Sequence, residues 1–230
     1  MDNVSKTLYI PLYGKALVSR KGIILHDPKA EELWQAEQIP LRGKAASKWL
    51  AYYMAMRSAV YDAWLREQLA KDPEAVVLHL GCGMDSRVEC VGTNGHLWFD
   101  LDFPEVIDQR RRYYQETEEY SMIGCDLRDQ RWLTRIEAGR SVIMVMEGVS
   151  MYLTVDQIKT LARSLCDHFS EVHLLMDCYS TLAAQMSKYK NPINDVGVTQ
   201  VYGMDDPNSL PGFHREYEMT PEDLIGQLDG

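Results

Sequence analysis

Gly81 and Gly83 flank Cys82 directly after an apolar run. Carboxylates then recur downstream at Asp102, Asp126 and Glu147. Glycine reaches positive φ and has no side chain, so a ligand can lie against the backbone at such a turn. A carboxylate offers paired acceptors and no donor, which suits a diol such as a ribose. Asp102 falls about twenty residues beyond the turn, near the spacing at which nucleotide-binding sheets place their ribose carboxylate. Asp100 is the competing ribose ligand, ranked behind Asp102.

The glycine pattern is partial. Met84, Asp85 and Ser86 follow Gly83, so the third glycine of GxGxxG is absent. That glycine permits close helix packing beneath a dinucleotide pyrophosphate. Asp85 also sets a negative charge where a pyrophosphate would sit. S-adenosylmethionine, with its sulfonium, amino acid tail and no phosphate, fits this turn better than NAD. Other readings are a plain strand-to-helix turn, a non-catalytic nucleoside-binding module, or a nicotinamide-dependent dehydrogenase. The last lacks any Tyr-x-x-x-Lys in this chain.

The elements that must hold these residues alternate. Strands are expected at 75–80, 97–102, 121–123, 141–146 and 172–177. Helices are expected near 84–91, 104–115 and 155–169, with a helical turn near 130–136. This order implies parallel pairing and a doubly wound, mostly parallel α/β sheet. In such a sheet ligands sit outside the carboxyl ends of the strands, where Gly81, Asp102, Asp126 and Glu147 all fall. A helix after the glycine turn would also aim its N-terminal N–H groups at the ligand. Asp126 has a second reading as a helix N-cap.

Residues 1–74 precede the sheet as a helical region, a cap over the site or a covering layer, and 75–230 form the core. Asp27-Pro28 reads as a helix start leading through Ala36. Lys44–Ala70 reads as a long helix with Trp49, Tyr53, Met56, Val60 and Trp64 on one apolar face and Arg57 beside it. Past Ser187 come breakers at Asn191-Pro192, Gly203, Asp206-Pro207 and Pro211-Gly212, then a last helix from Thr220-Pro221. The antiparallel strand that usually ends such a sheet has no match here.

Composition sets outer bounds. The 230 residues are 46% hydrophobic and 25% charged, ordinary for a globular domain. A net charge of −10 speaks against nucleic acid, which needs concentrated Lys and Arg. The five cysteines form no CxxC pair, which suggests a reducing compartment and no structural zinc or other metal. No signal core or membrane-length apolar run occurs, so a cytoplasmic protein is expected.

LHLGCGMDSR, WFDLDFPEVIDQRRRYY, GCDLRD and VIMVMEGVSMYLT occur in one order at even spacing. Together they resemble the leucine carboxyl methyltransferase family, over roughly residues 8–180. The resemblance implies a Rossmann-like fold with an N-terminal helical cap. It also implies an S-adenosylmethionine-dependent O-methyltransferase with S-adenosylhomocysteine as product. Gly81, Cys82 and Gly83 would lie against the amino acid part of the cofactor, and Asp102 would take both ribose hydroxyls. Asp126 and Leu127 would flank the adenine, and Glu147 would lie beside the cofactor. Arg57 and Lys15 would supply cations for its carboxylate, with Arg20 and Arg87 as weaker candidates. Tyr152 is a residue that could face the acceptor. His26, His79 and His173 are possible bases, yet none stands out. That tilts the reading toward an acceptor carboxylate, already ionised, on a small polyketide-like molecule or a protein C-terminus.

Overall fold

The structure, a computed structural model, describes residues 5–190 and 200–226. Five strands form one sheet in the order β3-β2-β1-β4-β5: β1 Val76–Leu80, β2 Trp98–Asp102, β3 Tyr120–Gly124, β4 Ser141–Met146 and β5 Glu171–Met176. Every pairing is parallel. The chain steps from β1 outward through β2 to β3, then returns to the other side of β1 with β4. The direction of winding therefore reverses between β1 and β4, and a crevice opens at their carboxyl ends.

Alternation along the strands feeds two cores. Val77, Trp98, Met122, Ile143 and Val145 pack beneath Leu12, Leu33, Tyr61 and Leu65 of the N-terminal helices. Val76, Leu78, Leu80, Leu101, Val142 and Met144 face the other way, against Trp132, Leu133, Leu161 and Leu165.

Three N-terminal helices cover the first face. They are α1 Tyr9–Lys21, α2 Pro28–Glu37 and α3 Lys48–Lys71. Asp27 caps α2 by accepting the Ala30 N–H at 2.8 Å, and Ser47 caps α3 by accepting the Leu50 N–H at 3.2 Å. The sequence analysis expects a helical region here without placing α1, which contains Pro11 and Gly14, two residues of low helix propensity. Pro11 is tolerated in the first turn, where its missing N–H is not needed. Gly14 is a contact point: a Cβ there would lie 2.7 Å from the Ala51 carbonyl oxygen of α3.

The buried stripe of α3 differs from the expected one. Leu50, Ala51, Ala55, Met56, Ser58, Tyr61, Asp62, Leu65 and Leu69 are buried, so of the expected face Met56 lies inward, Tyr53, Val60 and Trp64 are half-buried, and Trp49 is 67% exposed. Polar Ser58 and Asp62 are buried because each accepts a hydrogen bond from buried Arg87.

Two other helices are shorter than expected. α4 is only Arg87–Val91, because the Asp85 carboxylate takes the Arg87 N–H at 2.8 Å and starts the helix late. A five-residue helix so capped does not aim free N–H groups at a ligand, which corrects that expectation. α5 is Pro104–Arg110 and stops where Tyr113 leaves it to donate to Glu37 at 2.6 Å.

Beyond β4, α6 (Val155–His168) begins with reciprocal Thr154 and Gln157 capping bonds. α7 (Thr181–Lys190) was not expected, and α8 (Pro221–Gly226) begins where Thr220-Pro221 predicts. Asn191-Pro192 lies outside the described residues. Residues 200–226 contain no strand.

Gly14→Ala should force α1 and α3 apart and cost about 1–3 kcal/mol, beyond the slight gain in helix propensity. A lower urea midpoint with an unchanged m-value would show it. An unchanged midpoint would mean the helices can slide freely.

Candidate active site

A cavity of about 480 Å³ opens at the carboxyl ends of the strands, roofed by α1 and α3. Its wall brings together residues far apart in sequence. Lys15, Arg57, Gly81, Cys82, Gly83, Asp102, Asp126, Leu127 and Glu147 all line it. Arg20 and His173 do not, and His26 is exposed. Tyr152 lines the wall and donates to Thr7 Oγ1 at 3.2 Å.

The glycine turn is held from two sides. Gly81 and Gly83 have φ of 64° and 50°, where side chains are strained. A Cβ on Gly81 would also stand 2.2 Å from Val149 Cγ2. The Leu101 carbonyl accepts the N–H groups of Gly81 at 2.7 Å and Cys82 at 3.1 Å. Asp102 accepts the Gly83 and Phe103 N–H groups, each at 2.7 Å. Burial pushes the Asp102 carboxyl above the usual range, with those two N–H bonds opposing it. Each of its oxygens keeps acceptor capacity on the cavity side.

Asp100, the rival for ribose, lies under the sheet and is fully buried. It accepts from Arg110 Nη2 at 2.5 Å, the Tyr120 hydroxyl at 2.6 Å and Trp98 Nε1 at 2.9 Å. Arg110 in turn donates to the carbonyls of Gly83 at 3.1 Å and Asp85 at 2.6 Å. Asp100 therefore braces the arginine that braces the turn.

A chain of buried ion pairs closes the cavity's polar end. Lys15 Nζ sits 2.9 Å from both Asp27 Oδ2 and Asp85 Oδ1, with only 1% of its surface exposed. Arg87, wholly buried, reaches Asp62 Oδ1 at 2.7 Å, Glu147 Oε2 at 2.5 Å and Asp85 Oδ2 at 3.4 Å. Arg57 bridges Glu147 Oε1 at 2.9 Å and Asp177 Oδ2 at 2.8 Å. Burial alone would raise the Glu147 carboxyl, but Arg57 and Arg87 hold it below the usual range.

Sequence reasoning missed Asp62, Asp177 and the partnership of Asp85 with Lys15. Asp177 had one signal. It ends a predicted strand, as Asp102 does, and its Oδ1 accepts the Gly148 N–H at 2.7 Å. Asp126 lines the cavity and closes a local turn rather than capping a helix: Oδ1 accepts the Arg128 N–H at 2.9 Å and its carboxylate pairs with the Arg128 guanidinium, while the helical turn Gln130–Arg135 is capped by Asp129.

The remaining wall is apolar and aromatic. Ile10, Leu50, Tyr53, Met54, Met151 and Tyr152 line it. Trp49 stacks on Tyr53 there, ring centroids 5.8 Å apart and planes 5° from parallel.

A crevice at a switch point, with a glycine turn, a carboxylate after β2 and an apolar wall, is suited to holding a nucleoside beside an apolar molecule. The family described as leucine carboxyl methyltransferase matches residues 4–166. The tetracenomycin polyketide synthesis O-methyltransferase TcmP of Streptomyces glaucescens is 31% identical over 234 residues. That match spans 98% of this chain and 86% of TcmP. The S-adenosyl-L-methionine-dependent methyltransferase dpfgK of Gibberella zeae is 30% identical over 183 residues, 73% of this chain and 61% of its own. Among solved structures, magnesium protoporphyrin IX methyltransferase of Synechocystis PCC 6803 with bound SAH overlays at TM-score 0.48 and 13% identity. It covers 76% of this chain and 77% of that one. This chain belongs to the leucine carboxyl methyltransferase family and is an S-adenosylmethionine-dependent methyltransferase.

Arg87→Met should be strongly destabilising, by about 3–5 kcal/mol, because it leaves buried Asp62 without a cation and Asp85 and Glu147 with one each, Lys15 and Arg57. Denaturant unfolding would measure this, and a loss under about 1 kcal/mol would mean water reaches the network.

The pH dependence follows from the same contacts. Asp85, Asp100 and Glu147 are held low by their cations against burial. They bind protons more weakly folded than unfolded, so their stabilisation is present above the unfolded values near about 4 and is lost below them. Burial raises Asp102 and Asp177, whose ionisation costs stability as pH climbs through their folded values. The unfolding midpoint should therefore peak at mildly acidic pH and fall steeply below about 4. A flat profile from pH 7 to 3 would contradict the pairing.

Proposed function

We propose that this enzyme transfers the methyl group of S-adenosylmethionine to an oxygen of an apolar small molecule, and that a carboxylate is the favoured acceptor. The observation that carries the reading is the division of one cavity. A glycine turn and Asp102 stand at one end, and an aromatic and aliphatic wall at the other. TcmP, named for a role in polyketide synthesis, supports a polyketide-like acceptor.

The cavity's residues fit the cofactor. The turn at Gly81 and Gly83 leaves bare backbone for the amino acid portion. Asp102 offers two oxygens for the ribose diol, and Phe103 and Leu127 offer apolar surface for a purine, with Asp126 at its edge. When bound, the cofactor supplies an electrophilic methyl group on a positively charged sulfur.

The chain's own residues then have three tasks. The turn and Asp102 fix orientation, worth on the order of 7–11 kcal/mol where alignment is complete. Ile10, Leu50, Met54 and Met151 exclude water from the acceptor oxygen. The belt around Glu147 provides fixed charge that need not reorganise.

General base catalysis has little support in this site. His79 is the only histidine on the cavity wall among the described residues, and it is spent on Arg87 and Asp100. An ionised carboxylate needs no proton removed, whereas a hydroxyl would. A C-terminal peptide carboxylate is the second acceptor of this chemistry, and the family's description favours it. No described helix is long and apolar enough to cross a membrane, and the five thiols are unpaired. Both features support a cytoplasmic setting.

Calorimetric titration tests the reading. S-adenosylhomocysteine should bind at micromolar affinity and NAD should not. Asp102→Ala should weaken that binding by about tenfold or more, equal to 1.4 kcal/mol. Binding of NAD alone would overturn the proposal, and unchanged affinity in the variant would remove Asp102 from the ribose site.

A further inference from the structure

The buried charges at the polar end of the cavity do not balance. One belt runs Asp27, Lys15, Asp85, Arg87, Glu147, Arg57, Asp177, with Asp62 branching from Arg87. It holds three cations, Lys15, Arg57 and Arg87, against five carboxylates, a surplus of two negative charges. Lys15, Asp85, Glu147 and Arg57 face the cavity, and the others stand behind them.

Neighbouring groups do not correct the surplus. Arg110 is matched by Asp100 on the β2 side. Asp126 is matched by Arg128. His79 of β1 places Nε2 3.2 Å from Arg87 Nη1, and because a guanidinium only donates, that nitrogen accepts. The phenols facing the belt or the cavity, Tyr53, Tyr61 and Tyr152, are pushed upward by burial and stay protonated. Asp102 adds a further carboxylate on the wall. A surplus of this kind, shielded from water, attracts a cation far more strongly than the same charges would on an open surface.

Methyl transfer changes the charge of what the cavity holds. The new O–C bond forms with an acceptor lone pair, and the S–C pair stays on sulfur, which becomes a neutral thioether. We propose, on the S-adenosylmethionine reading above, that the uncompensated carboxylates of this belt make the site selective for the charged methyl donor over its spent product. Asp62 and Asp177 are then specificity-determining residues that act through Arg87 and Arg57, outside the cavity wall. Loss of one positive charge loosens the product and favours its exchange for fresh donor.

Calorimetry on the full chain without acceptor tests this near neutral pH. The ligands are S-adenosylmethionine, S-adenosylhomocysteine and sinefungin, whose amine supplies a cation that is not transferred. The two cationic ligands should bind about tenfold or more tightly than S-adenosylhomocysteine. Asp177→Asn and Asp62→Asn each remove one surplus charge and should cut the preference to about threefold or less, with circular dichroism verifying the fold. S-adenosylhomocysteine binding as tightly as the cationic ligands to the wild type would overturn the proposal while leaving the cofactor assignment intact. An unchanged preference in both folded variants would overturn it too. Silence from all three ligands would instead overturn the cofactor reading on which it rests.

Discussion

Arg87 is a guanidinium with no contact with water, and the architecture around the site depends on satisfying it. An isolated buried charge is untenable, so a cation placed there requires carboxylates from every side. They come from four parts of the chain: Asp62 of α3, Asp85 of the glycine turn, Glu147 after β4 and, one link further, Asp177 after β5. Ser58 and His79 complete the coordination. One side chain thereby ties the N-terminal helices to the carboxyl ends of three strands. The covering helices cannot drift from the sheet without stripping that cation of its partners.

The switch in winding direction determines where this network matters. Because β4 returns to the far side of β1, Gly81 and Glu147 follow adjacent strands and meet across one crevice. The turn is shaped by Asp102 and the Leu101 carbonyl from the β2 side and by Arg110 from below. The shape of the turn and the stability of the fold therefore rest on overlapping contacts. The apolar wall is built from other side chains of α1, α3 and the segment after β4, so the same helices carry part of the charged belt and part of the wall.

The sheet and the turn were legible because they rest on local chemistry. Apolar β1 and β4, the paired glycines and the acids at the strand ends each carry their signal within a few residues. α1 was not placed within the helical region: it contains Pro11 and Gly14, of low helix propensity, one in a permitted first turn and the other at a helix contact. The inward stripe of α3 was misread because Ser58 and Asp62 are polar, and only knowledge of Arg87 explains their burial. Lys15 was expected to present its charge to a ligand, yet Asp27 and Asp85 already surround it. Pairings of this kind span tens of residues and are created by the tertiary fold, so spacing alone does not reveal them.

Trp49 has an optical consequence. Trp98 and Trp132 are buried, Trp34 and Trp64 are half-buried, and Trp49 alone stands well out of the protein at the lip of the cavity. Indole emission shifts with the polarity around the ring. The red edge of this protein's fluorescence therefore originates largely from one side chain on the apolar wall. Entry of a molecule against that ring would dry it and move its emission to the blue, while filling the end at the glycine turn would leave it nearly unchanged. The wild-type chain thus carries a native signal that separates occupation of the two ends of one cavity, with no label attached.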